Sequence, residues 1–136
     1  MISQHIDYKA IFQNTATIAV VGLSPKNERP SNMVARYLLE RGYTVIPVNP
    51  GHDQILGQRC RKSLADIEEQ VDIVDIFRKS AELMPIVEAA VAIGAKVIWM
   101  QLGLVHEEAA AYARAHGLTV IMDRCLKVDH QAIMER

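Results

Sequence analysis

Short apolar, β-branched runs alternate along the chain with longer segments whose apolar positions recur at helical spacing. Thr17-Ile18-Ala19-Val20-Val21 is the first run and ends at Gly22. Apolar throughout, it predicts a strand buried on both faces. After a polar loop, Val34, Tyr37, Leu38 and Arg41 fall at helical spacing, with Ser31 as N-cap and Gly42 closing the helix. Thr44-Val45-Ile46-Pro47-Val48 predicts a second strand, stopped by Asn49-Pro50-Gly51. Pro47 inside it has no amide to give to a ladder, so its nitrogen must face away from a neighbour or the strand must be irregular there. Val71 to Phe77 predicts a third strand. A helix opened by Ser80 follows, with Leu83, Ile86, Val87, Ala90 and Val91 as one stripe and a first-turn boundary near Pro85. Lys96 to Met100 and Leu118 to Met122 predict two more strands, separated by an alanine-rich helix from His106 to His116. A helix over Asp7–Gln13 and a helical tail from Cys125 complete the pattern. Residues 52–70 are ambiguous, reading as a short extra strand around Gly57–Arg61 and then a helical turn from Ser63.

Such alternation predicts right-handed strand–helix–strand units. The expected fold is a single doubly wound α/β domain over 1–136, with a mostly parallel five- or six-stranded sheet and helices on both faces. Ligands of such sheets bind beyond the carboxyl ends of the strands, where the winding reverses. The chain returns to that edge at 22–31, 49–53, 76–80, 100–106 and 123–127, so a site is expected from these loops.

Composition narrows the function classes. Fifteen Lys+Arg against 16 Asp+Glu give a net charge of -1, which offers no basic face for nucleic acid. With 50% hydrophobic and 23% charged residues among 136, disorder is excluded. Two cysteines, Cys60 and Cys125, cannot make a disulfide framework or a four-thiolate zinc site. The five histidines are never closer than ten residues, so no helix carries a chelating pair. The start of the chain lacks the basic flank and apolar run of a leader, and no stretch is apolar enough to span a bilayer. A cytoplasmic protein with a small-molecule ligand is expected, with no nucleic acid, no membrane and no protein partner specified.

A dinucleotide fingerprint would place glycines at 22, 24 and 27, and only Gly22 is present; Ser24 and Asn27 fill the others. Ser24, Lys26 and Arg29 allow either a phosphate cradle or an ordinary solvated loop. After the second strand no carboxylate occurs until Asp53, which argues against the ribose contact of an NAD site.

Five blocks then carry a specific resemblance. They are Gly22 to Ser31, Val45 to Pro50, Val71 to Arg78, Trp99 to Gly103 and Met122 to Cys125. In this order and spacing the chain resembles the small stand-alone CoA-binding proteins, which are similar to the CoA-binding domain of the succinyl-CoA synthetase alpha subunit. The likeness runs from the first strand to His130. It implies a Rossmann-like domain holding coenzyme A, free or acylated, across the strand carboxyl edge. It further implies that Gly22, Ser24, Pro25, Lys26 and Arg29 take the phosphates, with Ser31 at the helix start. Asn49 and Pro50, with Ile76, Phe77 and Arg78, would sandwich the adenosine end, and Gln101, Leu102 and Gly103 would border the pantetheine arm. The chain has neither the phosphohistidine segment nor the nucleotide-grasp partner domain of the synthetase, so thioester synthesis is not carried over.

Asp75, inside an apolar strand, is expected to receive amides from the carboxyl-edge loops or to act on a ligand. Cys125 is expected to be a small semi-buried side chain, or a thiol acidified by Arg124 beside the pantetheine arm. Arg124 would pair with Asp123 or reach a phosphate. Binding is the activity these residues support. Rival readings are an NAD(P)-binding redox module, an acyl-CoA thioester enzyme using Cys125 or Asp75, and an interaction module that has lost its ligand.

Overall fold

The computed structural model describes residues 5–135; residues 1–4, where the reading for a leader begins, and residue 136 lie outside it. Five strands form one sheet: β1 (Thr17–Val21), β2 (Thr44–Val48), β5 (Ile73–Ile76), β6 (Val97–Met100) and β7 (Thr119–Ile121). A separate two-residue-per-strand hairpin, β3 (Gln54–Ile55) and β4 (Gln58–Arg59), interrupts the series. The sheet order is β2-β1-β5-β6-β7, and every pairing within it is parallel. The helices are α1 (Tyr8–Gln13), α2 (Pro30–Glu40), α3 (Leu83–Ala92), α4 (Glu107–Ala115) and α5 (Leu126–Met134).

Strand parity decides which face each side chain enters. Ile18, Val20, Val45, Ile73, Trp99 and Ile121 pack with Phe12 of α1, Val34 and Leu38 of α2 and Leu126 of α5. Ala19, Val21, Ile46, Val48, Ile76 and Met100 pack on the opposite face with Leu83 and Val87 of α3 and Ala109 and Ala113 of α4. The chain steps from β1 to β2 on one side, then returns to place β5 on the other side of β1. The winding therefore reverses between β1 and β5, the place at which a doubly wound sheet opens a crevice beyond its strand ends.

Local departures from the sequence reading have simple causes. Ser31 does not cap α2, because Pro30 takes the first helical position, where a missing amide costs nothing. Ser31 instead turns inward, and its Oγ accepts the Ser24 amide at 3.0 Å. Pro85 is the third residue of α3, within the first turn, and a 3-10 turn over Ser80–Glu82 leads into it. The extra strand expected at 57–61 is split into the hairpin and a single parallel bridge of Arg61 to Val48 on the outer edge of β2. That bridge explains Pro47. The Arg61 amide donates to the Pro47 carbonyl at 2.9 Å, so residue 47 turns its polar groups outward and the missing N–H is lost from no β1 pair.

The C-terminal helix is locked by a polar cluster. His130 lies between the Tyr37 hydroxyl at Nδ1 (2.6 Å) and the Tyr43 hydroxyl at Nε2 (3.0 Å). Tyr37 donates onward to Glu135 at 2.6 Å, and Arg41 pairs with the same carboxylate. Hydrogen bonds from Arg41 and Tyr37 hold the Glu135 carboxyl down to about 2. Burial lowers the His130 pKa, which favours the neutral ring.

Candidate ligand site

Gly22 closes β1 at φ +85°, a left-handed conformation that glycine adopts without strain. Space demands glycine there as well: a Cβ would lie 2.7 Å from Arg78 Cδ and 3.0 Å from the Phe77 carbonyl oxygen. The stem of Arg78 thus crosses directly over the end of β1. Beyond Gly22 the loop is stitched to α2. The Lys26 amide donates to Ser24 Oγ at 3.1 Å, the Arg29 amide to the Lys26 carbonyl at 3.1 Å, and Asn32 Nδ2 to the Ser24 carbonyl at 2.9 Å. With the Ser24 amide on Ser31 of α2, three loop amides are engaged, two within the loop and one on the helix.

Asn49, the residue after β2, ties the second loop to the first. Its Nδ2 donates to the Leu23 carbonyl at 2.9 Å, and its Oδ1 accepts the Gly51 amide at 2.8 Å. Asn49→Asp keeps the acceptor but sets an oxygen against the Leu23 carbonyl. The expected loss is about 1–3 kcal/mol of unfolding free energy, read from urea denaturation, with the two loops no longer joined. A variant as stable as the parent would show that this bridge contributes nothing.

Between these loops opens a cavity of about 710 Å³, lined by residues 21–25, 48–51 and 62–64 together with Arg78, Pro85, Ile86 and Ala89. Val21, Val48 and Leu64 supply an apolar floor, and Pro85, Ile86 and Ala89 of α3 supply an apolar wall. Among the described residues, two cationic side chains, Lys62 and Arg78, reach the lining, and no carboxylate does. Arg78 is half-exposed and pairs with Glu82 at 2.7 Å. The cavity volume lies in the ordinary range for small-molecule sites, about 300–1,000 Å³.

The residues named from sequence divide into three groups. Gly22, Ser24, Pro25, Asn49, Pro50 and Arg78 line the cavity. Lys26 and Arg29 are exposed on the first loop, outside the lining, and Ser31 is buried beneath it. Ile76 is fully buried in the core, and Phe77 packs into the layer of α1, α2 and α5, away from the cavity. Gln101 is buried, and its Oε1 accepts the Leu126 amide at 3.1 Å, satisfying the start of α5. Leu102 is 67% exposed, and the Gly103 amide donates to Asp123 Oδ1 at 2.7 Å. Lys62, Ser63 and the α3 wall were not named as site residues from sequence, where Lys62 reads with Arg59 and Arg61 as a solvated basic cluster. Lys62 and Ser63 lie in the stretch without periodicity, and the α3 residues read as ordinary core.

Cys125 lies in the same layer as Phe77, on the far side of the sheet from the apolar floor of the cavity. Arg124 meets neither Asp123 nor the cavity. It makes a two-pronged pair with Asp129 of α5, at 2.7 and 2.8 Å. Asp75 also departs from expectation: among the described residues neither carboxylate oxygen has a hydrogen-bond partner, and the residue is fully buried. The register sets it level with Val20 on one side and Trp99 on the other, inside the ladder and below the loops whose amides it was expected to meet. Desolvation raises its pKa well above the ordinary carboxylate value, which favours the neutral acid.

A doubly wound α/β domain with a cationic cavity at its switch point is the class that fold and site define. The sequence profile of the CoA binding domain family matches residues 16–131, and the chain belongs to that family. It is 44% identical over 124 residues to the uncharacterized protein YneT of Bacillus subtilis (strain 168), covering 91% of this chain and 92% of that one. It is also 31% identical over 120 residues to an ADP-forming acetate–CoA ligase of Archaeoglobus fulgidus, covering 80% of this chain but 17% of the ligase. Among solved structures, a hypothetical protein from Pyrococcus horikoshii OT3 superposes with a TM-score of 0.90 at 37% identity, covering 98% of this chain and 99% of that one.

Proposed function

We propose that this protein binds coenzyme A or an acyl-CoA in the cavity at the carboxyl edge of β1, β2 and β5. The observation that carries the reading is the charge of the cavity wall: two cations and no carboxylate on an otherwise largely apolar lining at the switch point. A ligand with several phosphates and an aromatic base matches that lining. The fit is chemical: Arg78 suits a pyrophosphate, Leu64, Ile86 and Ala89 suit adenine, and glycine at 22 lets the Arg78 stem lie across the end of β1. Membership of the CoA binding domain family supports the same ligand. The ligase relative extends far beyond the matched region, and its thioester-forming activity is not part of the proposal. Binding is the proposed activity, since neither Cys125 nor Asp75 reaches the cavity wall.

Calorimetric titration with CoA, acetyl-CoA, NAD and NADP tests the reading. CoA is expected to bind more than about tenfold tighter than NAD, a difference of roughly 1.4 kcal/mol. Affinity for CoA should fall as salt screens the two cations. NAD binding as tight as CoA binding, or no CoA binding at millimolar ligand, would sink the proposal.

A further inference from the structure

We infer that Lys62 recognises a phosphate carried on the ribose of the bound nucleotide, and that it gives the site a preference for ribose-phosphorylated nucleotides over their unphosphorylated counterparts. The inference rests on the cavity being a CoA site and names what distinguishes CoA there. Lys62 stands on an anchored backbone. Arg61, just before it, forms the bridge to β2: its amide meets the Pro47 carbonyl and its carbonyl accepts the Asn49 amide, each at 2.9 Å. The Arg61 side chain is buried and held by Glu69 at 2.6 Å, so this neighbouring cation is committed elsewhere. Leu64, just after, is buried in the core. Residues 62 and 63 therefore form a short arch pinned at both ends against the carboxyl end of β2.

The charges around the arch leave Lys62 available. It has no carboxylate partner among the described residues, whereas Arg78 across the cavity is paired with Glu82. The Ser63 hydroxyl donates to Asp66 at 3.0 Å, which fixes the arch, and neither Asp66 nor Asp53 lines the cavity. In doubly wound sheets the nucleotide ribose sits at the end of the second strand. A carboxylate there accepts its hydroxyls, and a cation there accommodates a ribose phosphate. Here the Asn49 side chain is engaged at both its nitrogen and its oxygen, and no carboxylate lines the cavity. The end of β2 is thus furnished with a free cation and lacks the acceptor that would favour a bare ribose.

The test compares CoA with 3′-dephospho-CoA on wild type, Lys62→Met and Lys62→Arg. Lys62 is exposed, so these variants should fold, which thermal unfolding checks. Wild type is expected to prefer CoA by about ten- to a hundredfold, the range for a hydrogen bond to a charged group. Lys62→Met should lower CoA affinity about tenfold or more beyond any loss for dephospho-CoA, so that the preference collapses, and Lys62→Arg should keep the preference. CoA bound with an undiminished preference by Lys62→Met, or equal affinities in wild type, would overturn the role of Lys62 and leave the CoA reading standing. Failure of wild type to bind either ligand would overturn both.

Discussion

Asp75→Val is expected to raise the unfolding free energy, by an amount that grows with pH. The parent residue sits mid-strand between Val20 and Trp99 with both carboxylate oxygens unpartnered and no exposed surface. Removing such a group recovers about 1–3 kcal/mol of desolvation even when it is neutral, and a β-branched replacement suits the strand. The pH dependence follows from burial. Because the folded pKa is raised, the unfolded chain loses this proton first, at about pH 4. The neutral acid's contribution is whole below that pH and shrinks by about 1.4 kcal/mol per unit as pH climbs toward the folded value. Wild type therefore weakens over this window relative to Asp75→Val. Urea midpoints for the pair, collected from pH 4 to pH 8, read the gap directly and cancel every other titrating group. Asp75→Asn, close in size but without a titrating proton, should show the same pH-dependent gain on a smaller base. A gap that stays level across the range would mean that Asp75 does not hold its proton in the folded state.

The second large effect is expected at Gly22. Gly22→Val forces a β-branched residue to φ +85° and sets its Cβ 2.7 Å from Arg78 Cδ. Backbone strain of roughly 1–2 kcal/mol and overpacking of roughly 1–3 kcal/mol add to a loss of about 2–5 kcal/mol in stability. Displacing Arg78 also removes one of the two cavity cations, so CoA affinity should fall more than about tenfold at a charge-assisted contact. Gly57→Val separates strain from crowding, because Gly57 has φ +73° but nothing within 4 Å of a new Cβ. If both variants lose equal stability in urea, the close approach of Arg78 is not what requires glycine at 22.

The sequence made the sheet legible because all its strands are short apolar runs closed by turn residues. Glycines and prolines marked most helix ends to within a few residues. Parity along β1, β2 and β5 was also implicit in the sequence, but no single run reveals which helices cover which face. That missing fact governs Phe77 and Cys125: both follow strands at the carboxyl edge, and both pack on the layer away from the apolar floor of the cavity. Lys26 and Arg29 were natural phosphate candidates by position, yet their loop spends its amides on itself and leaves both side chains outside the lining. Lys62, beside Arg59 and Arg61, reads in the sequence as solvated surface, because its placement at the cavity depends on one bridge, Arg61 to Val48, within a segment that has neither helical nor strand period. Asp75 defied the rule that buried polar groups find partners, since the amides it was expected to meet lie above the strand end.

The same bridge has a consequence for the molecule in a crowded solution. An open sheet ends in rows of unused backbone groups that invite a strand from another chain. At the outer side of β2 that invitation is withdrawn at consecutive outward positions. Residue 47 has no donor to offer, its carbonyl is taken by Arg61, and the Asn49 amide is spent on the Arg61 carbonyl. At the opposite border, β7 is three residues long, too short to template an extended partner. Proline in β2, an oddity when viewed as part of a ladder, thus serves where the ladder must stop, keeping copies of this protein from zipping together edge to edge.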